Sequence, residues 1–220
     1  MPFVLAIDGS LSVGTVAVLD GAHVRAERTV AMKGVHEERL FPAVLDAVTA
    51  AGGSLRGVTT VVCGAGPGSF TSLRIAAALA KGIAAGAGVT LAAVSSHALV
   101  IAGAAPGVGE GRYLVVTDAL RGECFATLIV VDGAGVIREI GATGRIASDA
   151  AAGRAAERGA TIAGPGRVLD LAPHARGVAR LLDMPGAIER VDLDRWEPDY
   201  GRLAEAQVKW EAAHGRPLPA

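Results

Sequence analysis

The stretch Val61-Val62-Cys63-Gly64-Ala65-Gly66-Pro67-Gly68-Ser69-Phe70-Thr71 joins an apolar run to a helical pattern through a turn rich in glycine and proline. The apolar run predicts a buried strand, and the Ser and Thr after the turn are typical of a helix start. A second Gly-Pro-Gly turn stands at residues 164–166, where it also follows an apolar run. The same turn after a strand in both halves of the chain suggests a duplicated unit.

The elements around these two turns follow the same order in each half. The first half predicts strands at 3–8, 13–20 and 23–30, a helix at 35–51, a strand at 59–63 and a helix at 71–85. The second half predicts strands at 113–118, 124–132 and 136–140, a helix at 148–158 and a strand at 160–163. A doubly wound Rossmann fold fits less well, because it alternates single strands with helices.

Two βββαβα units predict an α/β protein with the actin-like fold of sugar kinases and Hsp70 ATPase domains, and with a reduced second lobe. We expect an N-terminal lobe at 1–105 and a reduced C-terminal lobe at 106–195. A C-terminal segment at 196–220 is expected to carry a helix at about 201–213 that packs back on the N-terminal lobe.

Composition narrows the class of protein. The chain has 220 residues, 51% of them hydrophobic and 20% charged, which indicates a globular protein. A formal net charge of −1 argues against a broad surface for nucleic-acid phosphates. The sequence predicts no signal peptide and no membrane span. Cys63 and Cys124 lie in strand-like runs, so we expect buried free thiols and a cytoplasmic location.

Two turns are candidates for binding a nucleotide. Asp8 and Ser10 occupy a strand–turn–strand, where related ATPases present backbone amides to phosphates. Gly66 and Gly68 let the backbone approach a ligand, and Ser69 or Thr71 caps a helix whose first amides favour an anion. A plain hairpin at the first turn, and a strand-to-helix connection that caps itself at the second, explain the same residues.

The helix predicted at 71–85 carries a row of small side chains, Ala76, Ala80 and Ala84, which lets another helix come close. Arg74 and Lys81 are seven residues apart and share a face. This pattern predicts either a helix–helix interface with charges at its rim or ordinary packing inside the domain.

A metal centre is not predicted. Two histidines four apart on a helix can hold a metal ion, but His36 is followed at that spacing by Leu40. The sequence also has no Gly-x-Ser-x-Gly nucleophile motif.

The run at 66–71 continues as Leu73-Arg74-Ile75, and further short segments stand along the chain. They are Leu5-Ala6-Ile7-Asp8, Ala80-Lys81-Gly82, Asp118-Ala119, Arg121-Gly122-Glu123, Glu197-Pro198 and Tyr200. Together these segments resemble one family, the threonylcarbamoyladenosine-biosynthesis protein TsaB, also called YeaZ. The resemblance spans nearly the whole chain, and the run at 66–75 is its most specific part. It departs at Ser72, where the family has Gly, and at Gly9, where the family usually has Thr.

The resemblance implies a subunit without catalysis of its own, in the complex that forms N6-threonylcarbamoyladenosine at position 37 of tRNA. Such subunits pair with the metal-containing transferase TsaD through two N-terminal-lobe helices, and His36-to-Leu40 lacks the second histidine of the TsaD metal motif. A TsaE-type ATPase joins the complex and tRNA is reached indirectly. No cofactor is expected to be required, and ATP or ADP at the complex interface is left open, as is a homodimer of the isolated chain.

On this basis the helices at 35–51 and 71–85 are expected to form the surface for TsaD. The predicted interface residues are His36, Leu40, Phe41, Leu45, Arg74, Ala77 and Lys81.

Two other classes of function stay open, a kinase or ATPase and a metalloprotease. A small-molecule kinase or ATPase would need both phosphate turns and an adenosine-binding Gly-Gly, which Ala163-Gly164-Pro165-Gly166 matches only in part. A metalloprotease would need a metal pair.

Overall fold

Two β-sheets organise the computed structural model, which describes residues 2–32, 38–201 and 214–215. The first sheet has the strand order β11-β5-β4-β1-β2-β3. Its strands are β1 (Phe3–Asp8), β2 (Val13–Asp20), β3 (His23–Ala31), β4 (Val58–Gly64), β5 (Thr90–Val94) and β11 (Ile188–Arg190). The second sheet has the order β10-β9-β6-β7-β8. Its strands are β6 (Gly111–Leu120), β7 (Glu123–Val131), β8 (Ile137–Ala147), β9 (Thr161–Gly164) and β10 (Leu169–Asp170).

The two sheets share one pairing scheme. In each, the first three strands form an antiparallel meander, and the fourth strand pairs parallel to the first. A fifth strand then pairs parallel to the fourth. The predicted duplication and the actin-like architecture with a reduced second lobe are therefore correct.

The helices differ between the halves. The first half contains α1 (Leu40–Ala50), α2 (Phe70–Ala87) and α3 (Ser96–Ala102). The second half contains α4 (Ala151–Glu157), the four-residue α5 (Val178–Leu181) and a 3-10 turn at Ala175–Gly177. No helix in the described parts of the chain has the length and apolar character needed to cross a membrane.

Helix α1 begins later than the sequence predicted. Its helical pattern was predicted from residue 35, but the first described helical residue is Leu40, and residues 33–37 lie outside the described part. The Glu38 carboxylate accepts hydrogen bonds from the backbone N–H groups of Leu40 and Phe41, at 2.6 and 3.1 Å. An acceptor at this place satisfies the free amides of a first helical turn, so the helix starts after Glu38.

Five strands and helices were missed in the sequence, and so were the 3-10 turns at Leu55–Gly57 and Ala175–Gly177; the missed elements are β5, α3, β10, α5 and β11. Strand β11 lies within the range 106–195 that was predicted as the second lobe, yet it pairs antiparallel with β5 of the first sheet. Strands this short show little sequence periodicity. Whether they form depends on the strands beside them, which the local sequence does not reveal. The helix predicted at 201–213 falls mostly on residues 202–213, which are outside the described part.

Small aliphatic side chains fill the interior. Helices α1 and α2 cover one face of the first sheet, in a cluster that includes Leu5, Val44 and Cys63. A second cluster lies between the sheets, where α3, the turn at 175–177 and α5 pack against both. Cys63 and Cys124 are both buried, as predicted.

A buried histidine ties the halves together. His97 of α3 is fully buried, and its Nδ1 and Nε2 lie 2.6 Å from the Thr127 hydroxyl and 2.8 Å from the Thr117 hydroxyl. Burial lowers the pKa of His97 to about 3, so the ring is neutral at ordinary pH. Because Thr117 and Thr127 belong to β6 and β7, this ring fixes a first-half helix to the second sheet.

Candidate functional site

The turn after β1 is closed by contacts within the chain. The Asp8 carboxylate is buried and accepts from the Ser10 N–H at 3.0 Å, the Ser10 hydroxyl at 2.7 Å and the Ser96 hydroxyl at 2.6 Å. Burial raises the pKa of Asp8, and the hydrogen bonds from Ser96 and Ser10 oppose that rise. Asp8 and Ser10 thus organise the turn itself, which is the plain-hairpin alternative.

The Gly66-Pro67-Gly68 loop fits tightly against that turn. Gly66 has φ +93°, and a side chain there would collide with the backbone of Asp199. The Gly66 N–H donates to the Ser96 hydroxyl at 3.1 Å, and the Ser96 N–H donates back to the Gly66 carbonyl at 3.0 Å. A side chain at Gly68 would meet the Ser10 carbonyl. Both glycines are therefore required by close backbone approaches within the chain.

Ser69 stands at the N-cap of α2, but it does not cap the helix with its side chain. Its N–H donates to the Ser10 carbonyl at 2.7 Å, and its hydroxyl accepts from the Ser72 hydroxyl at 3.1 Å. The predicted side-chain cap by Ser69 is therefore wrong, because this hydroxyl accepts from the Ser72 hydroxyl and not from a backbone N–H of the helix. Thr71 lies in the first turn of α2 and is exposed.

A cleft of about 500 Å³ separates the two lobes at this end of the sheets. Gly68, Ser69 and Thr71 reach it, whereas Asp8, Ser10 and Gly66 do not line it. The opposite wall includes Asp118, whose carboxylate accepts from the Leu120 N–H at 2.8 Å. The cleft is lined by Leu11, Ser12, Gly68, Ser69, Phe70, Thr71, Val116, Thr117, Asp118, Ala119, Leu120, Phe125, Ser148, Pro165 and Arg167.

An apolar groove lies on the outside of the first lobe, beside α1 and α2. Phe41 and Leu45 of α1 are 40% and 42% exposed, although both are large and apolar. Ala78, Gly82 and Gly86 of α2 are exposed at a spacing of four residues. We call this surface the α1–α2 groove; its cavity of about 580 Å³ is lined by Phe41, Leu55, Arg56, Ala78, Leu79, Gly82, Ile83, Gly86 and Ala87.

Two predicted interface residues do not belong to this surface. Leu40 is fully buried in the core under α1, and Ala77 is 5% exposed. Phe41, Leu45 and Arg74 are exposed, Lys81 is half-buried, and His36 lies outside the described residues. The helical phase explains the correction, because the positions that face the sheet cannot also face a partner.

The row of small residues proposed for close helix contact is also shifted. Ala76, Ala80 and Ala84 are buried against the chain's own sheet, which is the ordinary-packing alternative. The exposed row, Ala78-Gly82-Gly86, was missed in the sequence. Its signal was available in the two glycines, since a glycine inside a helix costs stability and needs a reason.

Within residues 2–32, 38–201 and 214–215, no group of three or more His, Cys, Asp or Glu side chains comes together in a way that could hold a metal ion.

Comparison with known proteins gives the family. The family model described as "TsaD: tRNA N6-adenosine threonylcarbamoyltransferase" matches residues 29–180. The TsaB protein of Escherichia coli, named for tRNA threonylcarbamoyladenosine biosynthesis, is 34% identical over 122 residues, which are 56% of this chain and 52% of the relative. The chain thus spans about half the length of that relative. TsaB of Bacillus subtilis is 26% identical over 94% of this chain and 97% of its own length.

Solved structures give the same assignment. YeaZ from Pseudomonas aeruginosa aligns with a TM-score of 0.73 and 26% identity, covering 91% of this chain and 100% of that one. A Pseudomonas aeruginosa protein described as similar to the peptidase YeaZ aligns with a TM-score of 0.77 and 27% identity over 92% and 100%. The chain belongs to the family of the matched TsaD model, and its relatives place it in the TsaB/YeaZ branch of that family.

Proposed function

We propose that this chain takes part in the biosynthesis of N6-threonylcarbamoyladenosine at position 37 of tRNA, as a non-catalytic subunit that binds and activates a TsaD-type transferase. Two TsaB relatives are named for this pathway, and one of them aligns over 94% of the chain. A role in tRNA modification agrees with the cytoplasmic location predicted from the sequence.

The observation that carries the partner-binding role is the α1–α2 groove. Large apolar side chains at positions 41 and 45 remain about 40% exposed, near the row Ala78-Gly82-Gly86 of α2, in which no side chain is larger than a methyl group. Contiguous exposed apolar surface marks interaction sites in proteins of this class. Small residues at four-residue spacing allow another helix to approach closely. A stable interface here buries roughly 1,200–2,000 Å² in total.

The internal closure of the first phosphate turn supports a role without catalysis. In an ATPase of this fold the turn's acid orients a metal ion and its amides face phosphate. Here the Asp8 carboxylate, the Ser10 N–H, the Gly66 N–H and the Ser69 N–H all pair within the chain. The TsaE-type ATPase, indirect contact with tRNA and a nucleotide at the complex interface belong to the same proposal, as does self-pairing of the groove in the isolated chain.

The test is formation of the modified nucleoside on unmodified tRNA, with TsaD- and TsaE-type proteins from the same organism and a TsaC-type synthase, which supplies threonylcarbamoyl-adenylate. We expect modification when this chain is present and at least a tenfold loss in its absence, with no turnover by the chain alone. Full modification without the chain contradicts the proposal.

A small ATPase is the second candidate, and the interlobe cleft of about 500 Å³ favours it. It predicts micromolar ATP affinity by calorimetry and phosphate release by the isolated chain. The scaffold proposal predicts neither.

A further inference from the structure

The chain segment at 197–201, which we call the C-terminal strap, crosses back onto the first lobe. The Asp199 N–H donates to the Ala65 carbonyl at 2.7 Å, next to the Gly66-Pro67 turn. The Tyr200 hydroxyl donates to the Glu197 carboxylate at 3.1 Å, which fixes the tyrosine within the strap. The strap therefore holds its one aromatic ring at a set place beside the start of α2.

That ring contacts the first turn of α2. The centroids of Tyr200 and Phe70 are 4.6 Å apart, with their planes tilted by 50°. The Arg74 guanidinium carbon lies 5.4 Å from the centroid of the same Phe70 ring. Phe70 and Arg74 are four residues apart, so their side chains meet on one helix face. Phe70 therefore contacts both Tyr200 and Arg74.

The Phe70 side chain borders open space as well as Tyr200 and Arg74. Its side chain is half-buried and lines the interlobe cleft, which offers a volume of about 500 Å³. Tyr200 packs against this ring, with 4.6 Å between the two centroids. Without Tyr200, the phenyl ring loses its aromatic neighbour, and Arg74 loses a fixed face to rest on.

Arg74 continues the exposed row of the α1–α2 groove. It precedes Ala78 and Gly82 at the same four-residue spacing and is exposed. Among the residues that the structure describes, no carboxylate forms an ion pair with its guanidinium. The guanidinium lies over the Phe70 ring, and its charge also opposes the rise that burial causes in the pKa of Tyr200. A guanidinium resting on a ring keeps N–H donors at its edge, in a planar fork that matches a carboxylate.

We propose that Tyr200, acting through Phe70, positions the Arg74 guanidinium to receive a carboxylate of the partner subunit that docks on the α1–α2 groove. This inference rests on the proposed function and assigns a positioning role to a residue that does not line the α1–α2 groove. It also ties the C-terminal strap to the partner surface at the other end of the chain.

The test is a double-mutant cycle on binding to the TsaD-type subunit, measured by calorimetry. Arg74→Gln is expected to weaken binding about tenfold, as loss of one interfacial charge pair does. Tyr200→Leu is expected to weaken it about fivefold, and the double variant about tenfold rather than fiftyfold, because both changes remove one contact. Tyr200→Phe keeps the ring and is the matched control, with affinity within about twofold of wild type. Raising the salt concentration is expected to weaken the wild-type complex more than the Arg74→Gln complex.

Unchanged binding by Tyr200→Leu overturns the proposal. A double variant whose loss of affinity equals the product of the two single losses overturns it as well. A measurement on the free chain tests the positioning of Arg74 separately from the binding of the partner. In the free chain, the Phe70 ring current shifts the Arg74 side-chain proton resonances upfield, and Tyr200→Leu is expected to remove that shift while Tyr200→Phe keeps it. A shift that survives in Tyr200→Leu overturns the positioning role. Failure of the wild-type chain to bind the TsaD-type subunit overturns the proposed function together with the carboxylate contact, whatever the resonances show.

Discussion

The two halves of the chain share a sheet and differ in what covers it. Strands β5-β4-β1-β2-β3 and β10-β9-β6-β7-β8 follow the same order and the same parallel and antiparallel pairings. After its fourth strand, the first half has the 18-residue α2, whereas the second half has a turn and the short β10. After its third strand, the first half has the 11-residue α1, and the second half the 7-residue α4. The common sheet explains the fold, and the longer helices of the first half, α1 and α2, supply the surface that we assign to a partner.

The matching acids near the ends of β1 and β6 show the same divergence. Asp8 is buried and accepts three hydrogen bonds. Asp118 is exposed and accepts one from Leu120, in a turn where Leu120 and Arg121 have positive φ. Asp8 is therefore a buried part of its lobe, whereas Asp118 lines the interlobe cleft.

The largest expected effect is a difference in the free energy of unfolding between variants of these two acids. Asp8→Ala leaves the Ser10 and Ser96 hydroxyls and the Ser10 N–H without an acceptor in the core, so we expect the free energy of unfolding to fall by about 3 kcal/mol. Asp118→Ala is expected to cost less than about 1 kcal/mol, because water replaces its single hydrogen bond. Urea unfolding of both variants measures the difference. Equal costs would contradict the contrast between the two turns.

The second prediction compares the affinity for the partner after an acid is introduced at one exposed apolar residue in each half. Phe41→Asp in the groove is expected to weaken binding of the TsaD-type subunit about a hundredfold, since it places a charge in the apolar lining of the proposed interface. Val168 is 79% exposed in the second half, and Val168→Asp is the matched control with affinity expected to stay within about twofold. Calorimetric titration gives both values. Loss of binding by Val168→Asp alone would move the partner surface to the second half.

The third prediction concerns the contact between the halves and depends on pH. The folded pKa of His97 is about 3, and the unfolded pKa is about 6.5. The unfolded chain therefore takes up a proton below about pH 6.5 that the folded chain refuses until about pH 3. The stability linked to neutral His97 is full above that window and is lost as the pH falls, by about 1.4 kcal/mol per pH unit.

Urea unfolding at pH 7 and pH 5 is the measurement, with His97→Gln as the reference. The wild type is expected to lose more stability than the variant between the two values. The difference between the chains removes the opposite contribution of Asp8, whose raised pKa favours the folded state as the pH falls. Parallel profiles for the two chains would contradict this prediction, because they would mean that His97 takes up its proton at the same pH in the folded and the unfolded chain.

The smallest expected effect concerns helix glycines. Gly82 and Gly86 have nothing within 4 Å of an added Cβ, so Gly82→Ala and Gly86→Ala should each raise stability by about 0.5–1 kcal/mol. Gly153 in α4 has the same freedom and serves as the control in the second half. All three are expected to stabilise the chain, and only the two in α2 to weaken partner binding. Unchanged binding by both α2 variants would show that no helix approaches there.

The fold was largely predictable because its signals are local. The Gly-Pro-Gly turns, the paired Asp-Gly turns at 20–21 and 132–133, and the helical period of α2 each follow from neighbouring residues. Strand β11 was not predictable, because its place depends on pairing with β5 almost a hundred residues earlier.

The site was predictable only in part. The sequence located both helices of the groove, but the helical phase decided that Leu40 and Ala77 face the core while Phe41 and Ala78 face outward. That phase depends on where the helix meets the sheet, which a single sequence does not give. The role of Tyr200 was hidden for a similar reason, since its neighbours Phe70 and Arg74 lie 126 or more positions earlier in the chain.

Hydrogen exchange of the chain, alone and with the TsaD-type subunit, tests the central claim most directly. We expect amides of α1 and α2 to exchange at least tenfold more slowly in the complex, while the amides of β6 to β10 keep their rates. Slower exchange in the second half with unchanged α1 and α2 would contradict the assignment of the partner surface to the first-half helices.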